Sequence, residues 1–451
     1  MNLKDKKVLV CGMARSGIAA AGLLKKLNAD VTIQDLKTED SFEDVINVLK
    51  VQGINLYLGA NPDDIIDKMD MIVLSPGVPT DLPFVIKARE LGIAVIGEIE
   101  LAYMVCKAPI IALTGTNGKT TTTTLVGEIL KEFINDTYVV GNIGYPFADI
   151  ALNAVEDSVV VAELSSFQLE TVVNFKPKVS AVLNITPDHL NRHHTLENYV
   201  EAKENIFKCQ DENDYCILNC RDRFTLKMAD KTKANIVLFS LNKEIPKGIY
   251  SDKTSIYIND FGYSQKVIDI DELKIIGDHN VENAMAAIGI TLAFGVPLDI
   301  IVSTLKRFVA VEHRIEFVKN IKGIDFYNDS KGTNPDAAIK AIEAMKGPIC
   351  LIAGGYDKNS DFLPFVESFK DRVKFVAIIG NVKKVLATTF DEAGFNNYKL
   401  ATTLTEAVDL CYENAEEGNC VLLSPACASW DMFDSYEQRG DIFKDYVNRL
   451  N

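Results

Sequence analysis

The residues best suited to chemistry are Thr114-Gly115-Thr116-Asn117-Gly118-Lys119-Thr120. They follow the apolar run Ile110-Ile111-Ala112-Leu113 and open a helical stretch over 119–133. Glycines let a backbone curl so that its N–H groups point inward at phosphate oxygens. The helix N-terminus adds partial positive charge there. Gly115, Thr116, Asn117, Gly118 and Thr121 are therefore expected to line a nucleotide. Lys119 would reach its β- and γ-phosphates, and the Thr120 hydroxyl would meet Mg²⁺. The strict Gly-x-x-x-x-Gly-Lys-Ser/Thr pattern is not met, because Leu113 stands at the first glycine position. The motif alone reads as a variant nucleotide loop, and the alternative is an ordinary strand-to-helix turn. Thr120 to Thr124 weigh against that turn. A run of β-branched residues has poor helix propensity. A broken local rule points to a functional site.

A phosphate loop that uses Mg²⁺ needs an acid to hold it. Ser158-Val159-Val160-Val161-Ala162-Glu163 reads as a buried strand ending in a carboxylate, a natural place for that ligand. Taken alone, Glu163 is equally a cap or a solvent-facing acid. Beside Lys119 the metal reading leads. Three of the five histidines lie together at His189, His193 and His194. A zinc site is conceivable, but no cysteine or carboxylate stands at familiar zinc spacing. His189 follows a strand end on the same edge as Glu163, so it is expected at the metal or phosphate site. His193 and His194 are expected on the surface or in structural roles. Lys203, in Glu201-Ala202-Lys203-Glu204 on a helix over 195–209, reads as an ordinary helical lysine beside acids.

Short apolar strands, glycine-rich turns and helices must place these groups, and the pattern recurs. It appears at Lys7-Val8-Leu9-Val10-Cys11-Gly12, before the phosphate loop, and at Ile349-Cys350-Leu351-Ile352-Ala353-Gly354-Gly355. Continuous apolar strands between helices mean parallel sheets buried on both faces, with ligands beyond their carboxyl ends. At about 150 residues per domain the length predicts roughly three domains. They are expected at 1–97, 98–310 and 311–451, all α/β. The first is expected to be Rossmann-like. The second is a P-loop-type ATPase unit with a parallel sheet and extra β-hairpins near 250–263. The third is again Rossmann-like.

Gly12-Met13-Ala14-Arg15-Ser16-Gly17 is a dinucleotide fingerprint with Ala14 in place of its middle glycine. Asp35 ends the next strand, at the distance of an acid that contacts a ribose hydroxyl. Ser75-Pro76-Gly77 is a second candidate phosphate contact. The third unit brings Arg314, Asp329-Ser330-Lys331-Gly332-Thr333, Lys358 and Ser424-Pro425-Ala426-Cys427-Ala428-Ser429 to one edge. Arginine, lysine and hydroxyl groups there suit carboxylates and phosphates.

The 47 basic and 63 acidic side chains give a net charge of −16, which argues against nucleic-acid and membrane-surface partners. Nine scattered cysteines without a Cys-x-x-Cys pair suit a reducing compartment. No signal peptide or bilayer-length apolar run is legible, so a cytoplasmic protein is expected.

Taken in order, these motifs resemble the Mur ligases over nearly the whole chain. The resemblance rests on Gly115 to Thr120, Gly141-Asn142-Ile143-Gly144, Glu163-Leu164-Ser165-Ser166-Phe167-Gln168-Leu169 and Thr186-Pro187-Asp188-His189. It extends through His279-Asn280 with Asn283, His313-Arg314 and Asn328-Asp329-Ser330-Lys331. Ser424 to Asp431 and Tyr436-Glu437-Gln438-Arg439-Gly440 are most similar to the members that add D-glutamate. The resemblance implies ATP-dependent ligation of D-glutamate to UDP-N-acetylmuramoyl-L-alanine through an acyl phosphate, in peptidoglycan synthesis. It implies Mg²⁺ at two sites, Thr120 and Glu163 holding one. His189 would serve the other, with Lys203 matching a lysine that carries a carbamate. Ala14, Arg15, Ser16, Asp35, Leu36 and Ser75 would hold the UDP part, and Asn142 the substrate carboxylate. Asn280 and Asn283 would line the adenine side. Arg314, Asp329 and Lys331 would complete the nucleotide site on domain closure. Thr333, Lys358, Ser429 and Tyr436 would hold D-glutamate, with Tyr436 where relatives often carry Phe. A monomer is expected.

Three other readings compete. One is another amide ligase of this superfamily, including folylpolyglutamate synthetase. One is an NAD-dependent oxidoreductase using the first unit, against which Ala14 and the phosphate loop count. The last is a non-catalytic nucleotide switch, which would have no use for the charged set of the third unit.

Overall fold

The computed structural model describes residues 3–309, 311–358 and 360–450. The strands of the first sheet are β1 (Lys7–Cys11), β2 (Asp30–Asp35), β3 (Asn55–Leu58), β4 (Met71–Leu74) and β5 (Ala94–Gly97), all parallel, in the order β3-β2-β1-β4-β5. That is the order of a Rossmann sheet, with its switch point beside β1.

The second sheet holds β6 (Ile110–Thr114), β7 (Thr137–Gly141), β8 (Val159–Glu163), β9 (Val179–Val182), β10 (Tyr215–Asn219) and β11 (Asn235–Ser240), followed by β12 (Gly248–Ser251), β13 (Ser255–Asp260) and β14 (Tyr263–Asp269). Its order is β14-β13-β12-β11-β10-β9-β6-β8-β7. The strand that feeds the phosphate loop therefore lies between β8 and β9, which end at Glu163 and just before Thr186-Pro187-Asp188-His189. The β-excursion is a meander: β12 joins β11 in parallel, and only β13 and β14 pair antiparallel to their predecessors.

The third sheet holds β15 (Glu316–Ile321), β16 (Ile324–Asn328), β17 (Ile349–Gly354), β18 (Val373–Ile379), β19 (Tyr398–Leu400) and β20 (Cys420–Leu423). Its order β15-β16-β20-β17-β18-β19 differs from the Rossmann order of the first sheet, so the likeness is one of layering. The chain returns as β20 beside β17, which sets the turns after Gly354 and Leu423 next to each other.

The helix Asp278–Phe294 packs on the phosphate-loop helix Lys119–Lys131 and on β9 to β12. It is apolar around most of its circumference, as a helix covered on all sides must be. Gly295 ends it in the left-handed conformation, where a residue without Cβ is favoured.

The helix Glu98–Tyr103 joins the first and second sheets through two buried carboxylates. Glu100 accepts backbone N–H groups from Val173 and Asn174 at 2.8 Å and from Phe175 at 3.0 Å. Glu98 has less support. One oxygen accepts the Ala148 N–H at 2.6 Å, and the other is buried without a partner among the described residues. Burial, and secondarily the charge of Asp149, pushes the Glu98 carboxyl up to about 7. A carboxyl raised in the folded state binds its proton more tightly than in the unfolded chain. Its favourable contribution is therefore complete below its unfolded value of 4.5 and is lost as pH rises through about 7. Glu98→Gln removes this titration. Between about pH 5 and pH 8 the wild type should lose roughly 3 kcal/mol relative to that variant in urea unfolding. A difference that stays flat over that range contradicts the account.

Candidate active site

β6 delivers the phosphate loop, and the loop is gripped from two sides. Gly118 takes φ 83°, and a Cβ on it would stand 2.2 Å from Asn283 Oδ1. Asn283 Oδ1 accepts from the Thr122 hydroxyl at 3.2 Å, and its Nδ2 donates to Asn280 Oδ1 at 3.0 Å. Asn280 and Asn283 thus lie beside the nucleotide loop, both buried. On the other side, Asn184 accepts the Asn117 N–H at 2.8 Å through Oδ1. The threonine run is helical because it is packed: Thr120 to Thr123 are all buried. The Thr121 and Thr123 hydroxyls have no hydrogen-bond partner among the described residues.

Two ammonium groups share one carbonyl. Lys119 Nζ donates to the Gly115 and Thr116 carbonyls at 2.9 and 2.8 Å. Lys203 Nζ donates to the same Gly115 carbonyl at 2.8 Å and to Thr114 Oγ1 at 3.2 Å. Burial holds both lysines below their ordinary range, and the Lys119 charge pushes Lys203 down further. Glu163 and Asp188 oppose that shift. Lys203 is therefore no helical lysine paired with its neighbours. It is 1% exposed, and Glu204 pairs with Lys231 instead. The helix Leu196–Glu204, capped by Thr195, turns Tyr199, Val200, Ala202 and Lys203 inward, and the Lys203 ammonium lies 4.6 Å over the Tyr199 ring.

Glu163 Oε1 accepts from Asn142 Nδ2 at 2.8 Å, while Oε2 is buried with no partner among the described residues. The Asn142 backbone N–H also binds the Glu163 carbonyl, at 2.8 Å. A carboxylate oxygen with no protein partner among the described residues is the kind of hard-oxygen donor that Mg²⁺ takes, so Glu163 fits the ion. His189 sits at φ 54°, its ring edge-on to Phe167 at 4.9 Å and 3.5 Å from Asp188. Burial pushes it down to about 4, which leaves a neutral imidazole able to act as a ligand. His193 is buried between Ser166 and Glu170 and is structural, whereas His194 is exposed.

In the first domain the Asp35 carboxylate accepts the Met13 N–H at 2.8 Å and the Lys37 N–H at 3.0 Å. It thereby fixes the glycine turn. Ser75 Oγ donates to the Gly12 carbonyl at 2.9 Å, locking the second loop onto the first. Ala14, Arg15 and Leu36 are exposed around this edge, and Ser16 is half-buried. Arg15 crosses to the second domain and donates to the Gly144 carbonyl at 3.0 Å.

The third domain reaches over the loop. A small cleft is lined by Gly118, Thr121 and Asn283 from the second domain and by Arg314, Asp329 and Lys340 from the third. Arg314 Nε is buried with no partner among the described residues. Asp329 accepts from Ser424 Oγ at 2.7 Å, and burial pushes it up to about 6. Burial, joined by the Arg314 charge, holds Lys331 down at about 8, with its ammonium 5.0 Å over the Tyr436 ring. Lys358 lies 3.6 Å from Asp188 and lines a cavity of about 420 Å³ that His189 also borders. Thr333, Ser429 and Tyr436 do not line that cavity. The sequence motif contained Arg439 without assigning it a task. It is fully buried and forks into Ser330 and the Cys427 and Ala428 carbonyls, tying two active-site loops together.

Three α/β domains around a variant phosphate loop define an ATP-using ligase scaffold, and the chain belongs to the Mur ligase family. The Mur ligase MurD-like N-terminal domain matches residues 6–97, the Mur ligase middle domain 113–291, and the Mur ligase glutamate ligase domain 313–427. Relatives named UDP-N-acetylmuramoylalanine–D-glutamate ligase are similar over their whole length. That of Lachnospira eligens is 49% identical over 450 residues, covering 100% of both chains. That of Clostridioides difficile is 48% identical over 452 residues with the same coverage. Among solved structures, MurF from Acinetobacter baumannii shares the fold at a TM-score of 0.64 and 19% identity, covering 99% of this chain and 94% of that one. UDP-N-acetylmuramate-alanine ligase from Thermotoga maritima does so at 0.61 and 20%, covering 98% and 100%.

Lysine cannot reproduce the planar fork of Arg439. Arg439→Lys should destabilise the fold by about 2–4 kcal/mol in urea unfolding, because buried carbonyls lose their donors. A loss under about 0.5 kcal/mol contradicts that bracing role.

Proposed function

We propose that this protein joins D-glutamate to UDP-N-acetylmuramoyl-L-alanine while converting ATP to ADP and phosphate, acting as a cytoplasmic monomer in peptidoglycan synthesis. The observation that carries the reading is the pair of buried ammonium groups on the Gly115 carbonyl, together with a buried Glu163 oxygen that has no partner among the described residues. Such a site calls for an anion and a cation together, as a nucleotide triphosphate with its metal supplies.

A carboxylate is a poor electrophile, so the L-alanyl carboxylate must first be activated as an acyl phosphate. Lys119, released from its own loop, draws charge off the transferring phosphoryl group. Arg314 and Lys331 add positive charge from the third domain. Thr120 and Glu163 would hold one Mg²⁺. His189 and a carbamate on Lys203 would serve a second, and Mg²⁺ bound there would supply further positive charge to the phosphates. The depressed Lys203 favours the neutral amine that carbamate formation requires. Asn142 orients the substrate carboxylate while steadying Glu163. The amine of D-glutamate then attacks the acyl carbon and phosphate leaves. Lys358, Thr333, Ser429 and Tyr436 hold the two carboxylates of D-glutamate. Ala14, Arg15, Ser16 and Leu36 contact the UDP part on an edge that Asp35 and Ser75 shape.

The test is phosphate release with ATP, Mg²⁺, UDP-N-acetylmuramoyl-L-alanine and a panel of amino acids. Release is expected with D-glutamate only. Equal release with L-lysine or L-alanine contradicts the specificity, and no release with any contradicts the ligase reading. Lys119→Ala should lower turnover by roughly 10²–10³-fold or more; retained turnover removes Lys119 from its role. Lys203→Ala should be nearly inactive and partly rescued by a small carboxylate. A fully active variant disproves the carbamate assignment.

A further inference from the structure

One contact between the second and third domains uses an active-site loop residue in a way that ligand binding does not require. The backbone of Asn117 is already held, its N–H donating to Asn184 Oδ1 at 2.8 Å and its carbonyl accepting from Asn184 Nδ2 at 3.0 Å. Its side chain points at the third domain with both ends of the amide. Nδ2 donates to Asp336 Oδ2 at 2.5 Å, and Oδ1 accepts from Asn334 Nδ2 at 3.4 Å. Asn334 is itself fixed, because its Oδ1 caps the helix Pro335–Ala344 by accepting the Ala337 N–H at 2.8 Å. Thr186 Oγ1, from the turn that carries His189, donates to the same Asp336 oxygen at 3.5 Å. One carboxylate thus receives hydrogen bonds from the phosphate loop and from the histidine turn.

We propose that Asp336 is a positioning residue for the ligation. From the third domain it fixes the Asn117 amide, so the phosphate loop reaches its working shape only when that domain is seated on the second. The proposal rests on the reading of this loop as the ATP site. Its physical basis is that hydrogen bonds to a carboxylate are among the stronger ones. These can form only in the closed arrangement, so they bias the molecule toward it. Asn117 stands between Thr116 and Gly118, whose backbone makes the phosphate cradle. A loop free at Asn117 has lost the hydrogen bonds that tie it to the domain that brings Arg314 and Lys331.

Two measurements test this, one independent of the chemistry. In ligand-free protein, hydrogen exchange of the amides of 116–118 should quicken roughly ten-fold in Asp336→Ala, the loss expected for one charge-assisted bond. Exchange in the three sheets should not change. Asp336→Asn, whose amide oxygen still accepts from Asn117, should restore slow exchange. In the ligation assay, kcat should fall roughly ten-fold in Asp336→Ala and recover in Asp336→Asn, with KM for D-glutamate within about two-fold of wild type. Unchanged loop exchange overturns the tether. Quickened exchange with unchanged kcat overturns the positioning role. A raised KM for D-glutamate with intact kcat places Asp336 in the acceptor cavity instead, and also overturns it. If the ligase reading itself fails, turnover is absent in wild type while the exchange result still stands or falls alone.

Discussion

The rest of the site depends on one crowded atom, the Gly115 carbonyl oxygen, which accepts from the ammonium groups of both Lys119 and Lys203. Like charges gathered in a buried space repel, and a neutral carbonyl offsets little of that repulsion. Burial holds both lysines below their ordinary range, and the charge of Lys119 lowers Lys203 further. The arrangement is useful because it is incomplete. It leaves positive charge waiting for an anion, in a place where little water competes and where electrostatic interactions are strong.

The three sheets can be understood as the means of surrounding that atom. β6 brings the loop, β8 ends at Glu163, and the turn after β9 brings His189, so three adjacent strands deliver the loop, an acid and an imidazole to one edge. The first domain adds an edge held open by Asp35 and Ser75, whose side chains are occupied in shaping backbone turns. The third domain adds Arg314, Lys331 and Lys358. The net charge of −16 is thereby compatible with anionic substrates, because the cations are gathered where the domains meet. Net charge describes solubility and long-range approach, whereas binding is decided by these few local groups.

The phosphate loop, Glu163 and His189 were legible because each follows a buried strand, and strand ends in parallel sheets share an edge. The Rossmann-like character of the first unit was legible from its glycine turn and the spacing to Asp35, but its strand order was not. Lys203 was legible only by family resemblance. Its neighbours Glu201 and Glu204 suggest a solvated face, and what buries it is packing against the loop nearly ninety residues earlier. Asp336 was not legible at all, since its partner Asn117 lies 219 positions away. Arg439 was visible as a motif residue but not as a brace, because its acceptors are backbone carbonyls that any sequence provides. The strand order of the third sheet was likewise hidden, because local patterning fixes which segments are strands and not which neighbours they take.

The central claim is that the site activates a carboxylate by phosphorylating it. The most direct measurement uses UDP-N-acetylmuramoyl-L-alanine carrying ¹⁸O in the alanyl carboxylate, turned over with ATP and D-glutamate. Attack of the labelled carboxylate on the γ-phosphorus, followed by departure of phosphate from the acyl carbon, must carry one labelled oxygen into the phosphate released. Labelled phosphate is the predicted result. Unlabelled phosphate, accompanied by the same amide product, would contradict the account.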